Sequence, residues 1–287
     1  MADARLPLED TFGDILRKAM RGTGIGGAQL SSASGVSAAA IEQWLRDDGA
    51  ASDEEARALA RVLHLDGPKL TDSAAQRWYP PTIERPDIRR HAQESTVLSN
   101  GYVFFLKDSR RAALVDPAGI PQKLLRILRD GDYDLQYILI THKHDDHCDA
   151  ASDVARAYPN AQIVMHKLDV HAIGSLANRA LLVRDGETLP FGRNGSAIRM
   201  LHTPGHTDGS SCFLFQEPGR GSLFSGDTLF AASVGGAYGD ASTYDDILNS
   251  IRNKLLTLPG DTVVMPGHGP PTTIALEKEH NPFFTTA

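Results

Sequence analysis

Thr141-His142-Lys143-His144-Asp145-Asp146-His147 packs three imidazoles and two carboxylates into seven positions, directly after the apolar run at 137–140. Imidazoles at i and i+2 of an extended backbone lie on the same side. A turn just after them can carry Asp146 and His147 to the same point. Nitrogen and carboxylate donors in this mix suit zinc, iron or manganese. A solvated polar loop at a strand end is the competing reading. Three later stretches repeat the arrangement: Leu201-His202-Thr203-Pro204-Gly205-His206-Thr207, Phe224-Ser225-Gly226-Asp227-Thr228 and Val264-Met265-Pro266-Gly267-His268-Gly269-Pro270. Each sets a ligand-type side chain behind an apolar run and a Gly or Pro turn. Any one of them is weak evidence; together they favour a metal site.

Those loops need strands to hold them. Residues 97–106, 112–115, 137–140, 163–165, 197–202, 211–215, 221–225 and 263–265 read as strands, and 121–128, 150–158 and 244–256 as helices. Their alternation predicts an α/β layered domain over 76–287. Loops at strand ends of such domains are where sites collect. Residues 1–75 read differently, as a small all-α domain. Phe12, Ile15, Leu16 and Ala19 follow helical spacing. A second apolar pattern over 28–33 stops at Gly35. Ser37 caps a third helix carrying Ile41, Trp44 and Leu45. Ser52 and Glu55 form a capping box for a fourth, whose apolar face is Ala56, Leu59, Ala60 and Leu63. Gly67-Pro68 is expected to end it.

The composition narrows the function classes. Of 287 residues, 41% are hydrophobic and 23% charged, as in a globular protein with a real core. A net charge of −7 supplies no global basic field to draw the molecule to nucleic acid or anionic lipid. No apolar run approaches the length needed to cross a bilayer, and the first residues lack an apolar signal core. Two cysteines make no disulfide framework. A soluble, cytoplasmic protein is the expectation. Asn194-Gly195-Ser196 fits a glycosylation sequon, read here as coincidence.

The constellation HxHxDH, then the His of PGH, the Asp of SGD and the His of GHG, resembles the metallo-β-lactamase-fold hydrolase superfamily over roughly residues 79–284. Gly226-Asp227-Thr228-Leu229-Phe230 and Pro266-Gly267-His268-Gly269-Pro270 with His280-Asn281-Pro282-Phe283 look like its glyoxalase II-like branch. The resemblance implies a four-layer αββα sandwich and two divalent cations, zinc favoured over iron or manganese. It implies that His142, His144 and His206 hold the first, that Asp146, His147 and His268 hold the second, and that Asp227 bridges them. Asp116 matches the family's early strand-end Asp, which orients ligating histidines.

Such a pair of cations, about 3.5–4 Å apart, can share a hydroxide that attacks a carbonyl held in the cleft. Asp146 and Asp227 would be the catalytic residues that orient it. Thioester, lactone and amide carbonyls all fit, and the resemblance favours a small-molecule thioester. Rival readings are lactone hydrolysis at the same centre, a mononuclear-iron persulfide dioxygenase using His142, His206 and Asp227, and a ligand-sensing DNA-binding regulator. Only 19 residues follow His268, so the C-terminal helical domain that supplies glutathione contacts in longer glyoxalase II enzymes is not expected.

Other residues take plainer readings. His166 is expected as a loop residue beside the cleft rather than a ligand, His171 on a helix surface, and His202 in strand packing. Cys148 reads as a partly buried free thiol and Cys212 as a core strand residue. Tyr238 is a candidate hydrogen-bond donor to substrate. Gly22-Thr23-Gly24-Ile25-Gly26-Gly27 fits GxGxxG but follows a helix, so an interhelix turn is the better reading. The N-terminal segment resembles the lambda-repressor-like helix-turn-helix family, with residues 29–37 as second helix and turn. Yet the reading positions Ala38, Ala39 and Ala40 carry no hydrogen-bonding side chains. Residues 1–75 hold eight Lys/Arg against twelve Asp/Glu, a net of −4, where duplex binding needs positive charge. A module for homodimerisation or cleft shaping is the expectation, and nucleic acid and membrane are not expected partners.

Overall fold

The computed structural model describes residues 5–94, 97–106, 109–192, 196–217, 220–237 and 241–285. Tyr238 and most of the Asn194 sequon lie outside the described residues.

The chain opens with helices α1 (Phe12–Thr23), α2 (Gly27–Ser34), α3 (Ala38–Trp44), α4 (Asp53–Leu63) and α5 (Gly67–Ala74). Local chemistry explains the boundaries. Thr11 and Asp14 make a reciprocal capping box on α1, and Ser52 and Glu55 make the expected one on α4. Gly35 ends α2 in the left-handed region, and Ser37 caps α3. Gly24 ends α1 in the same way, so the GxGxxG stretch is the turn between α1 and α2. One expectation is corrected. Gly67-Pro68 does not end α4, which closes at Leu63 with His64 left-handed. It opens α5, where Asp66 accepts from Lys69 N and Pro68 fills the first turn. Proline suits that position because the first-turn N–H groups have no helical partner.

Strands β1 (Ile88–Glu94), β2 (Leu98–Phe105), β3 (Arg111–Val115), β4 (Asp134–Leu139), β5 (Gln162–Met165) and β6 (Leu181–Leu182) form the first sheet in that order. β1 to β3 pair antiparallel and β3 to β6 parallel. The parallel crossovers run through α6 (Pro121–Asp130), α7 (Asp145–Cys148) with α8 (Ala151–Ala157), and a 3-10 stretch at Val170–Arg179. Next come β7 (Thr188–Pro190), β8 (Ala197–His202), β9 (Ser211–Glu217), β10 (Arg220–Gly226), β11 (Leu229–Phe230), β12 (Ser233–Val234), α9 (Tyr244–Ser250), β13 (Val263–Pro266), β14 (Thr272–Thr273) and α10 (Ile274–His280). The second sheet runs β14-β13-β10-β9-β8-β7, and β11-β12 is a separate hairpin. The helix expected over 244–256 is α9 passing into a π turn at Ile251–Leu255.

Alternation along the strands builds the layers. Tyr102, Phe104, Val115 and Leu139 meet Phe213, Phe215, Phe224 and Met265 between the sheets. Val103, Leu114, Ile138 and Ile140 face outward onto Leu124 and Leu128 of α6 and Val154 of α8. Leu201, Leu214, Leu223 and Val264 face the other way onto Ile247, Ile251 and Ile274. The result is the four-layer αββα sandwich. The apolar core of α1–α5, with Leu16, Ile41 and Leu59 all fully buried, is continuous with that last layer.

Candidate metal centre

The seven side chains that the resemblance implies as ligands come from four loops, each leaving the C-terminal end of a strand. His142 and His144 follow β4, and the single turn α7 carries Asp146 and His147. His206 follows β8, Asp227 follows β10 and His268 follows β13. Glycines permit the close approach. A Cβ on Gly267 would sit 2.2 Å from Asp227 Oδ1 and 2.7 Å from His147 Cε1. A Cβ on Gly205 would meet Ile247 at 2.2 Å, and its φ of +145° favours glycine in any case.

The donors converge as two groups. Ring nitrogens of His142, His144 and His206 lie within 4.8 Å of one another, and so do donor atoms of Asp146, His147 and His268. In the first group His206 Nε2 is 2.9 Å from His144 Nδ1. In the second, Asp146 Oδ2 is 3.4 Å from Nε2 of both His147 and His268. Asp227 lies between the groups. Its carboxylate is 3.5 Å from His206 Nε2 and 3.9 Å from His142 Nε2, and 3.3 and 3.4 Å from Nε2 of His147 and His268.

Outward-facing ring nitrogens are held by partners. Asp116, left-handed at φ 53°, accepts from Thr141 N and Thr141 Oγ1 and pairs at 3.0 Å with His147 Nδ1. Thr141 Oγ1, its proton given to Asp116, accepts from His142 Nδ1 at 3.0 Å. Gly236 O accepts from His206 Nδ1 at 2.7 Å, and Leu98 O from His268 Nδ1 at 2.9 Å. These contacts turn Nε2 of four rings inward. The orienting role expected of Asp116 has this geometry.

Among the described residues four buried side-chain atoms have no hydrogen-bond partner, and two of them, His142 Nε2 and Asp227 Oδ1, lie in this cluster, the latter with only an ion-pair contact at 3.3 Å to His147. Leaving such atoms unmatched is costly, so the arrangement fits a cation more readily than a hydrogen-bonded core. Burial pushes the His142 ring well below the usual histidine range and His206 down to about 4. His144 is lowered too, again chiefly by burial. Burial opposes charge on His147 as well, but the Asp227 and Asp116 carboxylates outweigh it and raise the ring to about 10. The same contest raises His268 to about 11, through Asp227 and Asp146. Against its own burial, Asp227 is held well below the carboxylate range by His147 and His268.

The remaining candidates fall outside this cluster. His166 is buried and stacks on His202, with centroids 4.0 Å apart. His171 is exposed. Cys148 is buried, but its thiol faces the carbonyls of His144 and Lys143, and burial pushes it up to about 12. Cys212 lies in the core.

Asp169 escaped the sequence reading. It is fully buried, and its carboxylate accepts from Lys143 N at 3.1 Å, Thr207 Oγ1 at 2.5 Å and Gly209 N at 3.1 Å. It thereby ties the loop of His142 and His144 to the loop of His206. Its place four residues past β5 obeys the same strand-end rule that marked the other loops.

Residues 96–268 match the metallo-beta-lactamase superfamily, and the chain belongs to that family. The helices α1–α5 precede the matched region. Among relatives, a hydroxyacylglutathione hydrolase, GloC, of Haemophilus influenzae is 32% identical over 192 residues, covering 62% of this chain and 90% of that protein. A solved B3 metallo-beta-lactamase, BLEG-1, superposes with a TM-score of 0.59 at 30% identity, over 69% of this chain and 99% of its own. The protein TTHA1623, solved in a di-iron-bound form, superposes with a TM-score of 0.56 at 29% identity, over 72% of this chain and 100% of its own. No helix among the described residues is long and apolar enough to cross a membrane.

Proposed function

We propose that this chain is a binuclear, metal-dependent hydrolase of a small thioester. The observation that carries the reading is Asp227, one carboxylate within 4 Å of imidazoles from both groups. His142, His144 and His206 would hold one cation, Asp146, His147 and His268 a second, and Asp227 both. The donor set has nitrogen and oxygen but no thiolate, which suits zinc and equally iron or manganese. When bound, a divalent pair acidifies a shared water to a pKa of about 7 and polarises an acyl carbonyl.

The chain's own residues do the rest. Asp116, Thr141, Gly236 O and Leu98 O each hold an outer ring nitrogen, so the inward nitrogens of His142 and His206 offer lone pairs and those of His147 and His268 would do so once a cation displaced their second proton. Asp146 and Asp227 accept hydrogen bonds from a water in the centre and aim its lone pair at the carbonyl carbon. The water oxygen would form a C–O bond to that carbon, the C–S bond would break, and a proton given up by the water would pass to the sulfur, so that a carboxylic acid and a thiol leave. No side-chain nucleophile is needed: the Cys148 thiol is turned toward backbone carbonyls. The thioester preference draws on the likeness to a hydroxyacylglutathione hydrolase.

A panel of thioesters and lactones, assayed with metal content and oxygen uptake on the same sample, tests this. Thioester turnover with about two cations per chain is the expected result. One iron per chain with oxygen consumption would replace hydrolysis by dioxygenation, and lactone turnover alone would shift the substrate class.

A further inference from the structure

The outer nitrogens of the two groups meet different chemistry. In the first group His142 and His206 face neutral acceptors, the Thr141 hydroxyl and the Gly236 carbonyl. In the second, His147 faces the carboxylate of Asp116. His268 donates to Leu98 O, and a second carboxylate stands beside the same nitrogen: Glu9 Oε2 is 3.7 Å from His268 Nδ1. Glu9 belongs to the arm that precedes α1, outside the family-matched region.

The arm is clamped on both sides of Glu9. Before it, Tyr79 Oη donates to Leu6 O at 2.6 Å, and the Arg5 guanidinium lies 3.5 Å over the Tyr79 ring. After it, the Asp10 carboxylate pairs with Lys18 and accepts from Ser233 Oγ. Lys18 Nζ also donates to Val234 O at 2.7 Å, and it lies 5.3 Å from the centre of the Phe230 ring. Phe230 in turn meets the His268 ring edge-on at 5.9 Å. These partners belong to the hairpin β11-β12 that follows Asp227. Backbone contact completes the seat: a Cβ on Gly269, whose φ is +71°, would lie 3.0 Å from Glu9 N.

We propose that Glu9 is a positioning residue of the second group, its carboxylate reinforcing His268 as a donor to a divalent cation. The N-terminal helical segment then belongs to the metal centre. A carboxylate behind a ligating imidazole orients the ring and raises its basicity, and losing one typically weakens metal binding about 10- to 100-fold. Glu9 lies 3.7 Å from a ring N–H that Leu98 O accepts, an ion-pair contact rather than a hydrogen bond, so no more than the lower end of that range applies.

The inference rests on the metal-binding reading above, and zinc binding separates the two. The metal-free chain is titrated with zinc against a competing chelator. Wild type is expected to bind in two steps. Glu9→Gln, equal in size and neutral, should weaken one step about tenfold and leave the other unchanged. Asp10→Ala, which releases the clamp, should weaken the same step in the wild-type background. It should add little once Glu9 is Gln, because the clamp acts through that carboxylate. Thermal midpoints of the metal-free variants, matched to wild type, exclude a mere packing loss. Two zinc ions in wild type with both steps unchanged in Glu9→Gln overturns the role of Glu9 alone. A wild-type chain that takes up fewer than two overturns that role and the binuclear reading together.

Discussion

His142, His144 and His206 sit where burial outweighs the nearby Asp227 carboxylate, while His147 and His268 sit where carboxylates outweigh burial. Burial leaves the first three rings neutral, with His206 pushed down to about 4. Asp116, Asp146 and Asp227 reverse that for the other two, raised to about 10 and about 11. The first group is thus a set of neutral rings, while the second is a network of ion pairs in which protons stand where the proposed second cation would bind. Asp227, which touches both, ties the two states together. Two halves with nearly the same residue types therefore start from opposite electrostatic conditions, set chiefly by how closely the Asp227, Asp146 and Asp116 carboxylates crowd each ring.

The largest effect is expected where the halves meet. Asp227→Ala removes the shared carboxylate and should lower turnover on the order of a thousandfold or more. Metal content should fall from about two cations per chain to one or fewer, read by elemental analysis. Near-normal turnover in this variant would remove the bridging role and with it the coupling between halves.

Metal uptake tests the comparison more directly. At pH 7 the rings of His147 and His268, at about 10 and about 11, are protonated in the metal-free chain, whereas His142 and His206 are not. Filling the second group must displace those protons, so about two leave per chain, one from each ring, while the first group releases none. The contribution of the two rings should persist across neutral pH and disappear as pH rises past about 11, where both are already neutral, leaving only the proton lost by an acidified water. Calorimetric titration in buffers of different ionisation enthalpy counts the protons. Equal release from both binding steps would erase the asymmetry.

Asp116→Asn is expected next. Asparagine tolerates the left-handed backbone at φ 53°, so the change removes charge with little strain. Affinity of the His147 group should fall about 10- to 100-fold. The His142 ring feels Asp116 only through Thr141, so its group should change less. Chelator competition reads both steps, and an equal loss in the two groups would mean that Asp116 acts on the fold as a whole.

The seven converging residues were legible because each chemical signal is local. A strand end, a Gly or Pro turn and a His or Asp lie within a few positions, and Gly267 shows why the turn needs a glycine: Asp227 Oδ1 occupies the space of its Cβ. Asp116 was reached only through the resemblance to the superfamily. Most longer strands and amphipathic helices announced themselves by periodicity, but β1 was missed, its Arg89, Arg90 and His91 leaving no apolar alternation, and β6, β11, β12 and β14, two residues each, are too short to carry a period. The Gly67-Pro68 error has a local cause, since proline signals a helix start as readily as a stop and Asp66 is the residue that decides. Glu9 was not legible at all. Its contact with His268 spans the length of the chain, and nothing nearby in sequence distinguishes it from any solvated acid.

The smallest expected effect belongs to Cys148, which adjoins His147 on α7 and is the one thiol near enough to be mistaken for a ligand. Its Sγ lies 3.3 Å from His144 O and 3.7 Å from Lys143 O, as a donor to backbone. Serine at this site keeps a donor for those carbonyls, so Cys148→Ser should cost about 1 kcal/mol or less in the metal-free protein. Zinc affinity in both steps and turnover should stay near wild type. Selective loss of metal from the second group would place sulfur in the coordination sphere. Its carboxylate-rich description would then need a thiolate, and the contrast between the halves would be one of donor element as well as charge.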